Sequence, residues 1–240
     1  MAKITAKNAT VLINGSKFST YATAYEVTAQ VDPLDATGFS DECKNYIPGM
    51  AVGKMTLDMM WDKTTTTGIH PKLYNTGQTG NVTIIPEAYV LGGAALSLPY
   101  TQTTYGPQAD VSEIIKIGTV EFESYGNNNG LEFCAVLANA TITATTTGSS
   151  VNNSAATTVK YAAVLHVWTP TSTDTYVVKV QHSTDNSTWA DLAAFTLNGK
   201  TITSERLTGT GTVNQYRRVL ATRTGAAADP FGFTVVLYAV

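Results

Sequence analysis

Carboxylates, histidines and cysteines are the side chains of this 240-residue sequence that could support catalysis or metal binding. Glu121 and Glu123 lie two positions apart in an alternating segment, so a strand would place both carboxylates on one face, as an acid–base pair requires. A solvated strand face, or one that lines an aqueous channel, produces the same pattern without catalysis. We therefore expect residues 114–124 to form a strand with an acidic face.

The histidines and cysteines do not have the spacing of a catalytic or metal site. His70, His166 and His182 fall in different predicted elements, and His166 lies in an apolar strand. Cys43 and Cys134 are too few for a disulfide framework. The sequence also lacks a Gly-x-Ser-x-Gly elbow, a phosphate-binding loop and a His-Glu-x-x-His helix. We expect two free thiols, no metal, no cofactor and no enzymatic activity.

A short segment before Trp189 resembles the Asp-box turn of sialidase-type propellers. It occurs once instead of once per blade, and its spacing from Asp185 to Trp189 is one residue shorter. Side chains of the types found at 185–187 bond to their own backbone in turns. The segment therefore predicts a hairpin rather than a glycan site.

Basic residues cluster only around Arg217 and Arg218, with Arg223 nearby. Adjacent residues of a strand point to opposite faces, so these two arginines would not form one phosphate-binding patch. The net charge of −3 likewise gives no indication of a nucleic-acid-binding surface.

The composition favours strands and turns. Forty residues are threonine, and only 14% of the chain is charged. No run of eighteen apolar residues predicts a membrane span, and residues 1–5 lack the apolar run of a secretory signal, so we expect synthesis inside the cell.

Alternation and turn residues place the elements. Asn14-Gly15 predicts a tight hairpin, residues 21–31 and 55–61 alternate, and one or two helical turns are expected at Ile69–Tyr74. An asparagine turn at 127–130 should lead into a strand at 131–137. Beyond these lie six strand candidates typical of a β-sandwich: residues 161–168, 175–182, 189–197, 200–207, 216–222 and 231–240.

The stretch Asp32–Val52 has no sustained period. It contains two prolines, two glycines and several large apolar residues, so we expect a loop of about twenty residues, a length that in a compact domain usually indicates function.

Residues 145–154 are mostly small and polar, which predicts a flexible connector, and this connector coincides with a change in charge. Residues 1–147 carry eight lysines and thirteen carboxylates, a charge of −5, whereas residues 148–240 carry seven basic and five acidic residues, +2. We therefore expect two domains, 1–147 and 148–240.

The order of several weak motifs resembles the major tail tube proteins of phages with long, non-contractile tails (siphophages). The motifs are Asn14–Ser19, Asp35–Asp41, Tyr46–Met50, Trp61-Asp62, Val180–Ser183, Trp189–Leu192 and Tyr216–Val219.

This resemblance implies a mainly β fold: a tail-tube β-sandwich or barrel domain with one short helix, followed by an outward β-sandwich domain. It implies hexameric rings that stack into a hollow tube for DNA passage, without specific DNA binding. Further implied partners are the tape measure, tail terminator and distal tail proteins. The expected location is the virion tail, after synthesis in the host bacterial cytoplasm.

The resemblance also assigns candidate surfaces. The Asp32–Val52 segment would contact neighbouring subunits or rings, through Leu34, Asp35, Thr37, Phe39, Tyr46, Ile47, Pro48, Gly49 and Met50. Glu121 and Glu123 would face the lumen, where acidic groups repel phosphates. Two other functions remain open: a surface or secreted carbohydrate-binding module that uses Trp168, Trp189 and Tyr216, and a capsid decoration protein.

Overall fold

The computed structural model describes residues 8–40, 42–64, 68–109, 114–126 and 130–239. The predicted asparagine turn at 127–129 lies outside these ranges, as do Asp41 and residues 1–5. The described chain is mainly β with one short helix, which confirms the predicted fold class. In order, its elements are β1 (Thr10–Ile13), β2 (Ser16–Lys17), β3 (Ala22–Asp35), β4 (Tyr46–Met60), α1 (Ile69–Leu73), β5 (Thr79–Ile85), β6 (Ala94–Gln108), β7 (Lys116–Ser124), β8 (Glu132–Ile142), β9 (Thr146–Thr147), β10 (Val151–Asn152), β11 (Thr157–Thr169), β12 (Thr175–Ser183), β13 (Ala190–Ala194), β14 (Thr203–Val213), β15 (Tyr216–Thr224) and β16 (Phe231–Ala239).

The chain divides into two compact units. Unit 1 comprises Met1–Thr20, Gly80–Ser97 and Phe133–Val240, and unit 2 comprises Tyr21–Thr79 and Leu98–Glu132. The charge change near residue 147 therefore falls inside unit 1. The assignment of 1–147 to a ring-forming domain and of 148–240 to an outward domain remains a prediction.

Unit 1 is a β-sandwich. One sheet has the strand order β14-β11-β16-β8-β6-β5-β1-β2, and the second has the order β10-β15-β12-β13. Alternate residues of β11, β16, β12 and β15 meet in one core, where the Phe231 ring stacks on Tyr176 at 4.6 Å and on Phe233 at 4.9 Å between centroids. Leu137 of β8 belongs to the same core, which therefore draws on residues from both sides of position 147.

The predicted flexible connector at 145–154 is instead tied to unit 1. β9 and β10 both pair antiparallel with β15, at Thr147 with Leu220 and at Val151 with Arg217. Backbone hydrogen bonds to the neighbouring strand outweigh the polar composition, so the prediction of a free linker is wrong.

The Asn14-Gly15 hairpin forms as predicted and closes onto a buried histidine. Asn14 and Gly15 have φ values of 46° and 82°, which suit a type I′ turn. The Gly15 N–H donates to Nδ1 of His166 at 3.2 Å, so Nε2 carries the proton and donates to Thr83 Oγ1 at 2.8 Å. His166 is fully buried and uses both ring nitrogens in its neutral form.

We expect His166 to make unit 1 sensitive to acid. Burial lowers the pKa of His166 to about 3, whereas an unfolded chain protonates near pH 6.5. The stabilisation is therefore complete above pH 6.5 and is lost as the pH falls toward 3, by about 2 kcal/mol between pH 6.5 and 5. Urea unfolding at both pH values should show this loss in the wild type and not in His166→Gln, and parallel losses in the two proteins would contradict it.

Unit 2 is an antiparallel sheet with a short helix against it. β3 pairs with β4, β4 with β7, and β7 with β6. Alternate residues of β4 and β7 are fully buried, and the pairs are Met55 with Phe122, Leu57 with Val120, and Met59 with Ile117. Helix α1, which confirms the predicted helical turns, buries Ile69 and Leu73.

Candidate functional site

The main candidate site is a long β-hairpin formed by β3 and β4. Near its base, β4 also pairs with β7, but this pairing stops at Lys54, and from there the hairpin continues as two strands. We call residues 28–40 and 42–52 the arm. The structure corrects the predicted loop at Asp32–Val52, because most of this segment is paired strand.

The arm turns through a locally hydrogen-bonded tip. The Ala36 N–H donates to the Asn45 carbonyl at 2.8 Å, and the Asn45 N–H donates to Thr37 Oγ1 at 2.9 Å. Asp35 accepts bonds from the Thr37 side chain and N–H, and these bonds lower the pKa of its carboxyl. Asp35 and Thr37, which were predicted as contact residues, therefore shape the turn.

A bulge bends the arm where Gly49 and Met50 lie opposite Asp32. The register shifts between Val31 and Pro33, so Pro33 pairs with Pro48. A Cβ on Gly49 would lie 2.4 Å from the Asp32 carbonyl oxygen, which is closer than backbone can tolerate. Glycine is thus required here for close approach, as is common at bulges.

We expect Gly49→Val to loosen the arm without unfolding the rest of the protein. The clash strains an exposed segment, so amide hydrogen exchange at Leu34 should accelerate at least about tenfold, while the melting temperature stays within about 2 °C. Gly106→Val is the matched control, because its Cβ would meet only the Thr119 carbonyl oxygen at 3.9 Å. Equal exchange in the two variants would contradict the role of Gly49.

Large apolar side chains are concentrated on the arm. Seven of the sixteen exposed large hydrophobic residues in the described chain lie there, and Phe39 is fully exposed. The seven are Val31, Leu34, Phe39, Tyr46, Ile47, Met50 and Val52. Both faces of the arm are exposed from residue 28 to 35 and from 42 to 48, so these side chains lack a partner surface within the described chain.

The sequence analysis identified five of these seven side chains and missed Val31 and Val52. Alternation through Val27, Ala29 and Val31 was visible, and it signals that the strand continues toward the tip. The predicted Pro48 and Gly49 have structural roles, at the proline pair and at the bulge.

The outer edge of β3 is open. Within the described residues, β3 pairs only with β4, so every second residue along this fourteen-residue strand directs its backbone N–H and C=O groups to an edge without a partner strand. An open strand edge can accept a further strand from another chain.

Glu121 and Glu123 lie on one face of the unit 2 sheet, opposite the buried side. Their partners in β4 are Thr56 and Lys54. Glu121 bonds to the Lys54 ammonium at 2.7 Å and to Thr104 Oγ1 at 2.8 Å. These contacts lower the pKa of Glu121, so it remains ionised and is unsuited to act as a general acid near neutral pH.

Acidic groups predominate on this sheet face. By strand alternation, Glu26 and Asp58 share the face with Glu121 and Glu123. We call these four residues the acidic face. Among the described residues, no group of three His, Cys, Asp or Glu side chains is arranged to hold a metal, and no helix has the length and apolar character of a membrane span.

Two of the three aromatic residues considered for carbohydrate binding, Trp168 and Trp189, contact cationic side chains within unit 1. The Arg218 guanidinium lies 4.0 Å from the Trp189 ring centroid, and Lys17 lies 5.2 Å from that of Trp168. Arg217, in contrast, is buried, so the two adjacent arginines point to opposite faces as predicted. The turn before Trp189 is a hairpin in which Asp185 accepts backbone bonds from Ser187 and Thr188.

Comparisons with known proteins give only partial similarities of fold. No protein-family model and no curated protein sequence matches the chain. A chain from the virion of the native gene transfer agent particle has a TM-score of 0.43 and 11% identity over 55% of this chain and 98% of its own. A chain from the tail of the empty particle, refined with C6 symmetry, gives 0.43 and 13% with the same coverage.

The third similar structure is the Dit protein of phage SPP1, described as a hub adsorption apparatus of phages that infect Gram-positive bacteria. It has a TM-score of 0.37 and 11% identity over 95% of this chain and 97% of its own. These structural neighbours are thus proteins of virions, tails and hubs. At such identities and TM-scores the likeness carries no argument about function, which has to be inferred from the surfaces of this chain.

Proposed function

We propose that the chain is a structural protein of a phage tail, the major tail tube subunit, and has no enzymatic activity. The observation that carries this proposal is the arm, a two-stranded extension with apolar side chains and no covering surface among the described residues. Exposure of such a segment to water does not stabilise a monomer. In a protein that assembles, the same apolar side chains become buried against a neighbouring copy.

The length of the arm suits a stable interface between copies. A standard protein interface uses about 20–30 residues on each side and buries about 800 Å² per partner. The arm spans positions 28–52, 25 residues, which is enough to supply one side of such an interface. Its exposed apolar residues would form the buried centre, and charged residues such as Asp32 and Lys44 would lie at the rim.

An arm that docks on a different surface of the next copy generates a closed ring or an open filament. Ring closure would also remove the open edge of β3 from water. Six copies per ring, and the stacking of rings into a tube, are what the sequence resemblance implies. Both are part of this proposal.

The acidic face fits the wall of a DNA passage. Phosphates are repelled by ionised carboxylates, and the repulsion prevents the backbone contacts on which non-specific DNA binding depends. The lowered pKa of Glu121 keeps that group charged across the neutral range. We therefore propose that Glu121 and Glu123 line the lumen and that DNA passes without specific binding.

The remaining partners and the location follow from the same role. The tube would contact tape measure, tail terminator and distal tail proteins in the virion tail, after synthesis in the host bacterial cytoplasm. No cofactor is needed for this function.

Electron microscopy of the purified protein tests the proposal directly. Negatively stained samples should contain rings or tubes, and sedimentation velocity should show large species that form with increasing concentration. Monomers at all concentrations and salt levels would refute it. Binding on a glycan array that is lost in Trp189→Ala would instead support the carbohydrate-binding alternative.

A further inference from the structure

Unit 1 contains an apolar groove of about 140 Å³ at one end of its core. Its floor consists of the buried residues Leu137, Val219 and Phe233, which also belong to the core between the two sheets. Leu91 and Ile142, both partly exposed, form its sides. The residues that line this groove carry no charge, so the groove suits an apolar guest.

The volume of the groove matches one aromatic ring. An apolar cavity of about 150 Å³ binds benzene in a protein core. At the tip of the arm, Phe39 presents a fully exposed ring of this size. The chain therefore carries both an apolar recess and an exposed phenyl group of matching size.

Charge favours contact between the arm and unit 1 of another copy over contact between two arms. Unit 2 carries twelve carboxylates and five lysines, a formal charge of −7, whereas unit 1 carries ten basic residues and six carboxylates, +4. The arm contributes three carboxylates, Asp32, Asp35 and Glu42, and one lysine, Lys44, a charge of −2. Contact between two arms would place like charges together, whereas contact between an arm and unit 1 of another copy joins opposite charges.

We propose that the arm of one copy docks on unit 1 of the next copy and seats Phe39 in this groove. The inference rests on the proposed self-assembly and specifies its contact. It also makes the contact heterologous, since arm and groove are different surfaces, as ring formation requires. The phenyl ring would cover Leu91 and Ile142, the partly exposed apolar side chains at the sides of the groove.

Removal of the Phe39 phenyl ring should weaken assembly. Burial of a phenylalanine side chain corresponds to about a tenfold to hundredfold change in affinity. Phe39→Ser should therefore raise the critical concentration of assembly by at least about tenfold. Phe133→Ser is the matched control, because Phe133 is an exposed residue of β8 and does not line the groove. An equal effect of both variants, or no effect of Phe39→Ser, would overturn the proposal.

A side chain that fills the groove should have the same effect as removal of the Phe39 phenyl ring. Ala140 is exposed and lines the groove, so Ala140→Trp should fill it without disturbing the core. We expect a raised critical concentration with an unchanged melting temperature. Normal assembly of Ala140→Trp would count against the groove as the seat of Phe39.

A cross-link between different copies identifies the contact. Two variants that keep Phe39 are prepared in a Cys43→Ser background, Ser40→Cys and Ala140→Cys, and are mixed and oxidised with copper phenanthroline. A disulfide between position 40 of one chain and position 140 of the other supports the proposal, and links only between two copies of Ser40→Cys would establish contact between arms and overturn it. Tubes that form without the 40–140 link would refute the groove contact and leave the tube function standing. A wild-type protein that never assembles would refute both.

Discussion

Replacement of residues 31–51 by Asn-Gly should abolish assembly and leave a folded monomer. Gln30 pairs directly with Val52, so a two-residue type I′ turn can join them without a change of register. The replaced segment contributes no side chain to the buried core of the described chain. The close backbone approach between Gly49 and Asp32 lies inside this segment and is removed with it. Stability should therefore change by less than about 1 kcal/mol.

The loss of assembly should be complete because six of the seven exposed apolar side chains of the arm are removed together. Sedimentation velocity at concentrations where the wild type forms rings or tubes should show a single monomeric species. Far-UV dichroism and the urea midpoint serve as controls for folding. Tubes of normal appearance from the shortened protein would eliminate the arm as the assembly element.

A second large effect is expected at Gly15. Its φ of 82° already disfavours any other residue, and a Cβ would lie 2.4–2.5 Å from backbone atoms of Thr203 and Val167. Val167 cannot retreat, because its strand β11 is paired on both sides, with β14 and β16. We expect Gly15→Ala to destabilise the protein by at least about 3 kcal/mol and to break the bond from Gly15 to His166.

Gly77 provides a matched control for the backbone term. It has a φ of 83°, and no atom lies within 4 Å of its added Cβ. Gly77→Ala should therefore lower the free energy of unfolding by only about 1–2 kcal/mol, which is the effect of the left-handed conformation alone. Urea denaturation of both variants separates the two contributions, and equal losses would mean that the contact with Thr203 and Val167 carries no energy.

Local turn chemistry and one-sided burial were readable from the sequence. The Asn14-Gly15 hairpin needs only two residues that tolerate positive φ, and strands β4 and β7 of unit 2 show the alternation that burial of one face imposes. The helix at Ile69–Leu73 was likewise placed correctly. In each case neighbouring residues contain the whole signal.

The arm was not predicted as strand because the usual signal is absent there. Alternation arises when one face is buried, and most of this hairpin is exposed on both faces. Pro33, Pro48 and the bulge at Gly49 interrupt what remains of the pattern. Its exposed apolar residues could still be identified, because large apolar side chains in a polar context were visible without the correct secondary structure.

Pairings between distant segments were also beyond the sequence. β8 pairs with β16, which begins almost ninety residues later, and β9 and β10 pair with β15. Such registers depend on the whole sheet rather than on local propensity. The groove in unit 1 was missed for the same reason, since its lining comes from segments far apart in the chain.

The proline pair on the arm restricts how copies of this protein can join. Pro33 faces Pro48 across the hairpin, and neither has an N–H to donate. A foreign strand that extended the hairpin sideways would lack a donor at this rung, which disfavours the continuous cross-strand stacking of amyloid fibres. A protein produced in many copies can thus expose the apolar side chains of the arm without forming amyloid fibres.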